Sequence, residues 1–211
     1  MSDQTTEKLY YDPISVAQRT PQKLHLVNTQ DKQALLLHLI KNMSELHVVV
    51  ITKTKREADT LSTYLNTQDV KSVSVHGSKR AAINEAATKA FEAGELSVLI
   101  TTDMILQSLT LSNITHLISY DLPTEPEQYL KRMACLNEKG EAIAFVSEDQ
   151  EVALLDIERV MRHEITEEAI EGFEPSAESI NPAPTPKDKK KKPRHRKKRR
   201  KSADKTEPTE K

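Results

Sequence analysis

The chain has no tryptophan, one cysteine and only four glycines in 211 residues. Each shortage closes off a class of function. A lone thiol, Cys135, can form no internal disulfide and no cysteine-based metal site. Four scattered glycines cannot build the G-x-x-x-x-G-K-[ST] loop that cradles nucleotide phosphates. No hydrophobic run is long enough to cross a bilayer, and the N-terminus carries no charged-then-apolar leader. The expectation is a soluble cytoplasmic protein with no membrane partner, not secreted by a standard route.

What is present is divided by charge. A formal net charge of −1 conceals an acidic body and a basic tail. Residues 187–211 hold fourteen Lys+Arg against four Asp+Glu, while the residues before them hold seventeen against twenty-eight. Lys187 to Lys201, KDKKKKPRHRKKRRK, places twelve cations in fifteen residues. Such a run cannot fold alone and is an electrostatic ligand for polyanions. The candidate RNA contacts are Lys189, Lys190, Lys191, Lys192, Arg194, Arg196, Lys197, Lys198, Arg199, Arg200 and Lys201. If about eight of these charges engage single-stranded RNA, the log–log salt slope of binding is about −6. A solubilising tail, a tail that folds back on the acidic body, or an import signal in a nucleated cell are the other readings of the same run.

The body alternates short β-branched runs with amphipathic stretches. Strands are expected at Lys23–Val27, His47–Thr52, Val70–Val75, Leu96–Thr101, Thr115–Tyr120 and Glu141–Val146. Helices are expected from Asp31 (a candidate cap), from Thr54 to Leu65, from Lys79 to Phe91, from Asp103 to Leu109, after Pro123 and Pro126 through Met133, and from Gln150 to Arg162. Ile83, Ala87 and Phe91 form one expected inner stripe, and Val152, Leu155, Ile157 and Val160 another. Gly94 has the place of a C-terminal helix stop. This order predicts an α/β domain over residues 21–173, with a mainly parallel sheet of about six strands covered by helices on both faces. Residues 1–20 read as an extended lead-in, and residues 174–211 as a disordered Lys/Arg-rich tail.

Five segments in order carry a resemblance. VVVITKTKREADTL (Val48 to Leu61), VHGSK (Val75 to Lys79), FEAGELSVLITTD (Phe91 to Asp103), ISYDLPTEPEQYLKR (Ile118 to Arg132) and the frame from Tyr129 to Val146 resemble the second RecA-like domain of DEAD-box RNA helicases. ITEEAIEGFEP, from Ile165, is similar to the region just past that domain in bacterial RhlE-type members. The resemblance implies a single RecA-like domain. Neither the Gly-Lys-Thr phosphate loop nor the Asp-Glu-Ala-Asp box of the family's first domain is present, so the sequence reads as the second half alone.

Position by position, the resemblance implies kept core residues and lost ligand residues. His76, Gly77, Thr102, Asp103 and Arg132 retain helicase-motif positions. Lys131 replaces a histidine, Ala134-Cys135-Leu136 stands for Gly-Arg-Thr, and the last arginine of that motif is missing. Ala81 and Asn84 stand for a Gln and an Arg on the RNA side, Ile51 for a phenylalanine, and Gln107, Ser108 and Thr110 for an arginine, a glycine and a ribose-binding aspartate. Phosphoryl transfer needs clustered cations and a metal at the transition state, so neither ATP nor magnesium is expected to bind this chain alone.

The expected function is therefore a non-catalytic, RNA-associated protein. Its tail would supply affinity for ribosomal or other structured RNA, and its body a docking surface, including for a protein partner shared with helicases. Its rivals are a split helicase completed by a first domain in trans, and an adaptor that competes with intact helicases. Single residues keep two readings each. His76 is a turn residue or a metal ligand, with no second ligand at metal spacing. Cys135 is a small buried hydrophobe, or a thiol activated by Lys131 and Arg132. Thr102 and Asp103 cap a helix or touch an RNA phosphate. Glu125-Pro126-Glu127 reads as an acidic first helical turn.

Overall fold

Strand residues here alternate between two cores. In the computed structural model, which describes residues 13–44, 47–136 and 140–173, Val48 and Val50 pack into one apolar cluster and their neighbours Val49 and Ile51 into another. That period of two buries a β-branched run on both faces. After a first helix, α1 (Pro13–Arg19), the chain runs β1 (Gln22–Leu26), α2 (Lys32–Asn42), β2 (Val48–Ile51), α3 (Lys55–Thr67) and β3 (Ser72–Val75). It continues through α4 (Ala81–Glu92), β4 (Val98–Thr101), α5 (Asp103–Leu106), β5 (His116–Ser119), α6 (Pro126–Met133), β6 (Glu141–Val146), α7 (Glu151–Met161) and β7 (Thr166–Glu167).

The seven strands form one sheet in the order β3-β4-β2-β5-β6-β1-β7, and every pairing is parallel. Helices α2 and α3 cover one face through Leu35, Leu36, Ile40, Ala58, Leu61 and Leu65. The opposite face is covered by α1, α4, α5, α6 and α7, with Phe91, Tyr129, Met133 and Met161 fully buried. The chain moves along the sheet one way through α2 and α3 and returns through α4 to α7, so the two directions use opposite faces, as right-handed crossovers require. Connections leaving β2 and β5, which are neighbours, therefore diverge. They leave a crevice at the C-terminal ends of those strands, where ligands of open α/β sheets bind.

Local chemistry sets the boundaries. Thr54 Oγ1 accepts from the Glu57 N–H at 3.2 Å and caps α3. Asp31 stands at the N-cap of α2 without a side-chain capping bond. Gly94 takes a left-handed φ of +76° after α4, with its N–H donated to Phe91 O at 2.9 Å. On edge strand β3, the Ser72 and Ser74 backbone groups bond to side chains: Ser72 N donates to Asn66 Oδ1 at 3.2 Å, and Lys79 Nζ to Ser74 O at 2.7 Å. That occupies groups which an added strand would need.

Three sequence expectations are corrected. The lead-in is not extended up to Pro21, because Pro13–Arg19 is helical with Ala17 fully buried. Pro13 occupies the first helical position, where a missing N–H costs nothing. Ile83 is not part of the inner stripe of α4 but 52% exposed, and only Ala87 and Phe91 of that stripe are buried. Val152 and Leu155 are 71% and 59% exposed. At about 100° per residue they stand about 140° and about 200° around α7 from buried Ile157, so they face outward. The seventh strand, β7, has only two residues paired with β1, too few for a periodic signal. The basic run lies outside the described residues, as does the expected boundary at residue 174. Among the described residues no helix is long and apolar enough to cross a membrane.

Phe145 is fully buried, tilted against the Tyr120 and His25 rings. Phe145→Ala is expected to lower unfolding free energy by about 3–5 kcal/mol in a denaturant titration. Ile83→Ser on the exposed turn of α4 should change it by no more than about 0.5 kcal/mol.

Candidate functional site

The crevice between β2 and β5 is organised by Asp121, the second residue after β5. Its Oδ2 accepts from the backbone N–H of Lys53 at 3.2 Å, and its Oδ1 from Lys32 Nζ at 3.2 Å. Lys32, on the first turn of α2, is only 1% exposed and also donates to Tyr120 O at 3.0 Å and Gln150 Oε1 at 2.7 Å. Three acceptors match the three donors of an ammonium group, which is what burial of that charge requires. Glu57, on the first turn of α3, meets the same aspartate. Burial, then the hydrogen bond and charge of Asp121, push its carboxyl up to about 7, against the pull of Lys32 and Lys53. The Glu57 carboxyl thus keeps its proton close to neutrality.

Arg132 closes the network from α6. Its Nε and Nη2 donate to Asp103 Oδ1 and Oδ2 at 2.6 and 2.8 Å, and its Nη1 donates to Asp121 O at 2.8 Å. The guanidinium is 1% exposed, and this forked geometry is the strongest form of the pair. Asp103 opens α5, and Thr102 stands at its N-cap in extended conformation without a side-chain capping bond. Asp103 is therefore held by Arg132, which neither reading from the sequence anticipated.

Two residues near this pair, Cys135 and Gln107, carry no charge. Cys135 Sγ donates to Lys131 O at 3.5 Å, and burial, then the Asp103 charge, push the thiol up. Of the two readings of Cys135, activation by Lys131 and Arg132 is the one the structure does not favour, since the Arg132 charge is paired with Asp103. Gln107 Nε2 donates to Gln128 Oε1 at 2.8 Å. Asp103, Gln107, Gln128 and Arg132 border an open hollow of about 500 Å³ whose lining also includes Lys53, Met104, Pro123 and Glu125.

A second cluster lies at the end of β3. Asp59 Oδ1 accepts from Ser74 Oγ at 2.6 Å and Lys79 Nζ at 3.3 Å, with His76 Nε2 at 3.0 Å. Burial pushes the Asp59 carboxyl up, but the bonds from Ser74, His76 and Lys79 outweigh it and hold it at about 2. His76 is buried, and among the described residues no group of three or more His, Cys, Asp or Glu is placed to hold a metal ion. Asn84 Nδ2 donates to His76 O at 3.0 Å, while Ala81 is exposed at the start of α4. A Cβ on Gly77 would only touch Ile105 Cδ1 at 3.8 Å, an ordinary contact. The structure thus brings Asp103 and Arg132 together and leaves His76 and Gly77 in a separate turn. Lys32, Glu57 and Gln150 of the network, and Asp59 of the second cluster, were not legible as site residues. Lys32 and Gln150 are 118 positions apart, and only the quoted DLP stretch hinted at Asp121.

With the geometry in place, comparisons identify its relatives. Residues 31–134 match the helicase conserved C-terminal domain. The E. coli DEAD-box protein SrmB, solved bound to regulator of ribonuclease activity A, is 21% identical with a TM-score of 0.69, covering 74% of this chain and 94% of that one. A DEAD box protein from the hyperthermophile Methanococcus jannaschii is 26% identical with a TM-score of 0.68, covering 73% of this chain and 43% of that one. The C-terminal domain of the DEAD-box protein Dbp5 is 24% identical with a TM-score of 0.63, covering 70% and 88%. The chain spans less than half the length of the M. jannaschii protein.

Arg132→Met leaves Asp103 without its cation and Asp121 O without a donor, and is expected to cost about 3 kcal/mol of stability. Exposed Lys131→Ala should cost no more than about 0.5 kcal/mol in the same titration. Glu57 binds its proton more tightly folded than unfolded. Its contribution to stability is whole below the ordinary range near 4.5 and lost as pH rises through about 7. Across that window the wild-type protein should lose stability relative to Glu57→Gln, as read by denaturant midpoints; parallel pH curves would contradict the pairing.

Proposed function

We propose that this helicase C-terminal domain, with DEAD-box structural relatives, works as a non-catalytic RNA-associated protein of RhlE-type ancestry in the cytoplasm. The basic run binds RNA, and the folded body serves as a docking surface. The observation that carries this reading is the state of Arg132, whose guanidinium is engaged inside the domain by Asp103 and Asp121. It has no free fork to present to a phosphate. An arginine that stabilises a transferring phosphoryl group is worth about three to five orders of magnitude in rate. Cys135, three residues after Arg132, and Gln107, just past α5, cannot supply that charge. ATP and magnesium therefore find no matching partners on this chain alone, and the retained Thr102, Asp103, His76 and Gly77 serve the fold.

The docking role has its own support. SrmB is solved bound to regulator of ribonuclease activity A, and S. cerevisiae Dbp5 bound to Gle1, so domains of this fold present surfaces to proteins. The adaptor reading is accordingly the second one.

RNA affinity measured over a salt series tests the proposal. The full chain should show a log–log slope of about −6 with single-stranded RNA. A full-length variant with the eleven candidate cations from Lys189 to Lys201 replaced by glutamine should lose that slope and most of the affinity. Equal affinity and slope in both proteins would place RNA binding on the body and overturn the proposal.

A further inference from the structure

Helix α7 leaves an apolar face uncovered. Val152 and Leu155, at i and i+3, are 71% and 59% exposed and adjoin one another on the outer surface of the helix. Both side chains would fit equally well as polar residues if solvent were their only neighbour. Just before the helix, with Asp149 three residues ahead of Val152, a hollow of about 350 Å³ is lined by Asn28, Thr29, Ser147, Glu148 and Asp149. Its lining has hydroxyls, an amide and two carboxylates, and no cation. Glu151 is exposed on the first turn of the helix itself. Acidic residues at a helix N-terminus are favourable for the helix dipole, which accounts for Glu148, Asp149 and Glu151 but not for the apolar pair.

We propose that the Val152–Leu155 face of α7 and the Glu148–Asp149 hollow form one docking surface for a cationic amphipathic protein segment. The partner places an arginine or lysine in the hollow and lays two apolar side chains over Val152 and Leu155. Charge complementarity sets the choice of occupant. A polyanion such as RNA meets three carboxylates at this end of the helix and is repelled. The basic run Lys187 to Lys201 has the cations but no apolar side chain beyond Pro193, so it answers only half of the surface. An amphipathic segment with flanking Arg or Lys answers both halves, as helix-in-groove ligands do. This inference rests on the docking role given to the folded body above, and it specifies where that docking occurs and what chemistry it selects.

The test uses the full chain and three labelled probes at physiological salt. One is a helical peptide with leucines at i and i+3 flanked by arginines; the second has glutamates for the arginines; the third is an oligolysine of equal length. Binding is read by fluorescence anisotropy. The arginine–leucine peptide should bind best. The double variant Val152→Ser with Leu155→Ser should weaken it at least about tenfold, and Glu148→Gln with Asp149→Asn by a similar factor, as expected when anchors of an interface are removed. No binding of that peptide, equal binding of either control probe, or equal affinity for wild type and the serine variant would overturn the inference. RNA affinity is measured on the same serine variant and should not change; a parallel fall would assign the face to RNA and overturn it as well. Failure of the RNA-tail reading would show instead in the glutamine-substituted tail, whatever the peptide does.

Discussion

A guanidinium shut away from water needs acceptors for its donors, and the site depends on how Arg132 finds them. Asp103 supplies both carboxylate oxygens and Asp121 its carbonyl. Through these bonds α6, the start of α5 and the loop after β5 become one unit. Asp121 extends the unit through its carboxylate to Lys32 on α2 and to the backbone of Lys53. Removing any member leaves a buried charge unpaired, which is far more costly than losing the pair's own attraction. The arginine therefore maintains the crest of the sheet, and it does so by being withdrawn from solvent.

The position of that crest follows from topology. Divergent connections from β2 and β5 open a crevice in which a parallel α/β sheet normally receives ligands. In this chain the crevice is occupied by the protein's own charges. Buried Lys32 bonds to Tyr120, Asp121 and Gln150 there, and Glu57 beside Asp121 has its carboxyl pushed up to about 7. The polar network is satisfied internally, in contrast to the outward-facing apolar pair on α7.

The sheet was largely legible because its physics is local. Val48–Ile51 and residues 142–146 are unbroken apolar runs, and the strands expected at His47–Thr52 and Glu141–Val146 form at Val48–Ile51 and Glu141–Val146. The Gly94 stop was legible for the same reason, since only its backbone freedom is at stake. Helix faces were less legible where two apolar residues compete for one side. Val152 and Leu155 share the composition of a core stripe, and only the packing of Ile157 and Met161 decides that they face outward. The site was least legible. Arg132 stood out within its motif, but its partner Asp103 is 29 positions away, and a separation of that size leaves no periodic trace. The two-residue β7 depends wholly on β1 to exist.

The central claim is that this domain keeps a fold like that of DEAD-box C-terminal domains while Arg132 is engaged inside it rather than free to act on a phosphate. RNA-stimulated ATP hydrolysis tests it most directly, measured for a separately expressed first domain of an intact DEAD-box protein with and without this chain. The account predicts the same low rate in both mixtures. A rate that rises with added chain, and falls again with Arg132→Met, would contradict it.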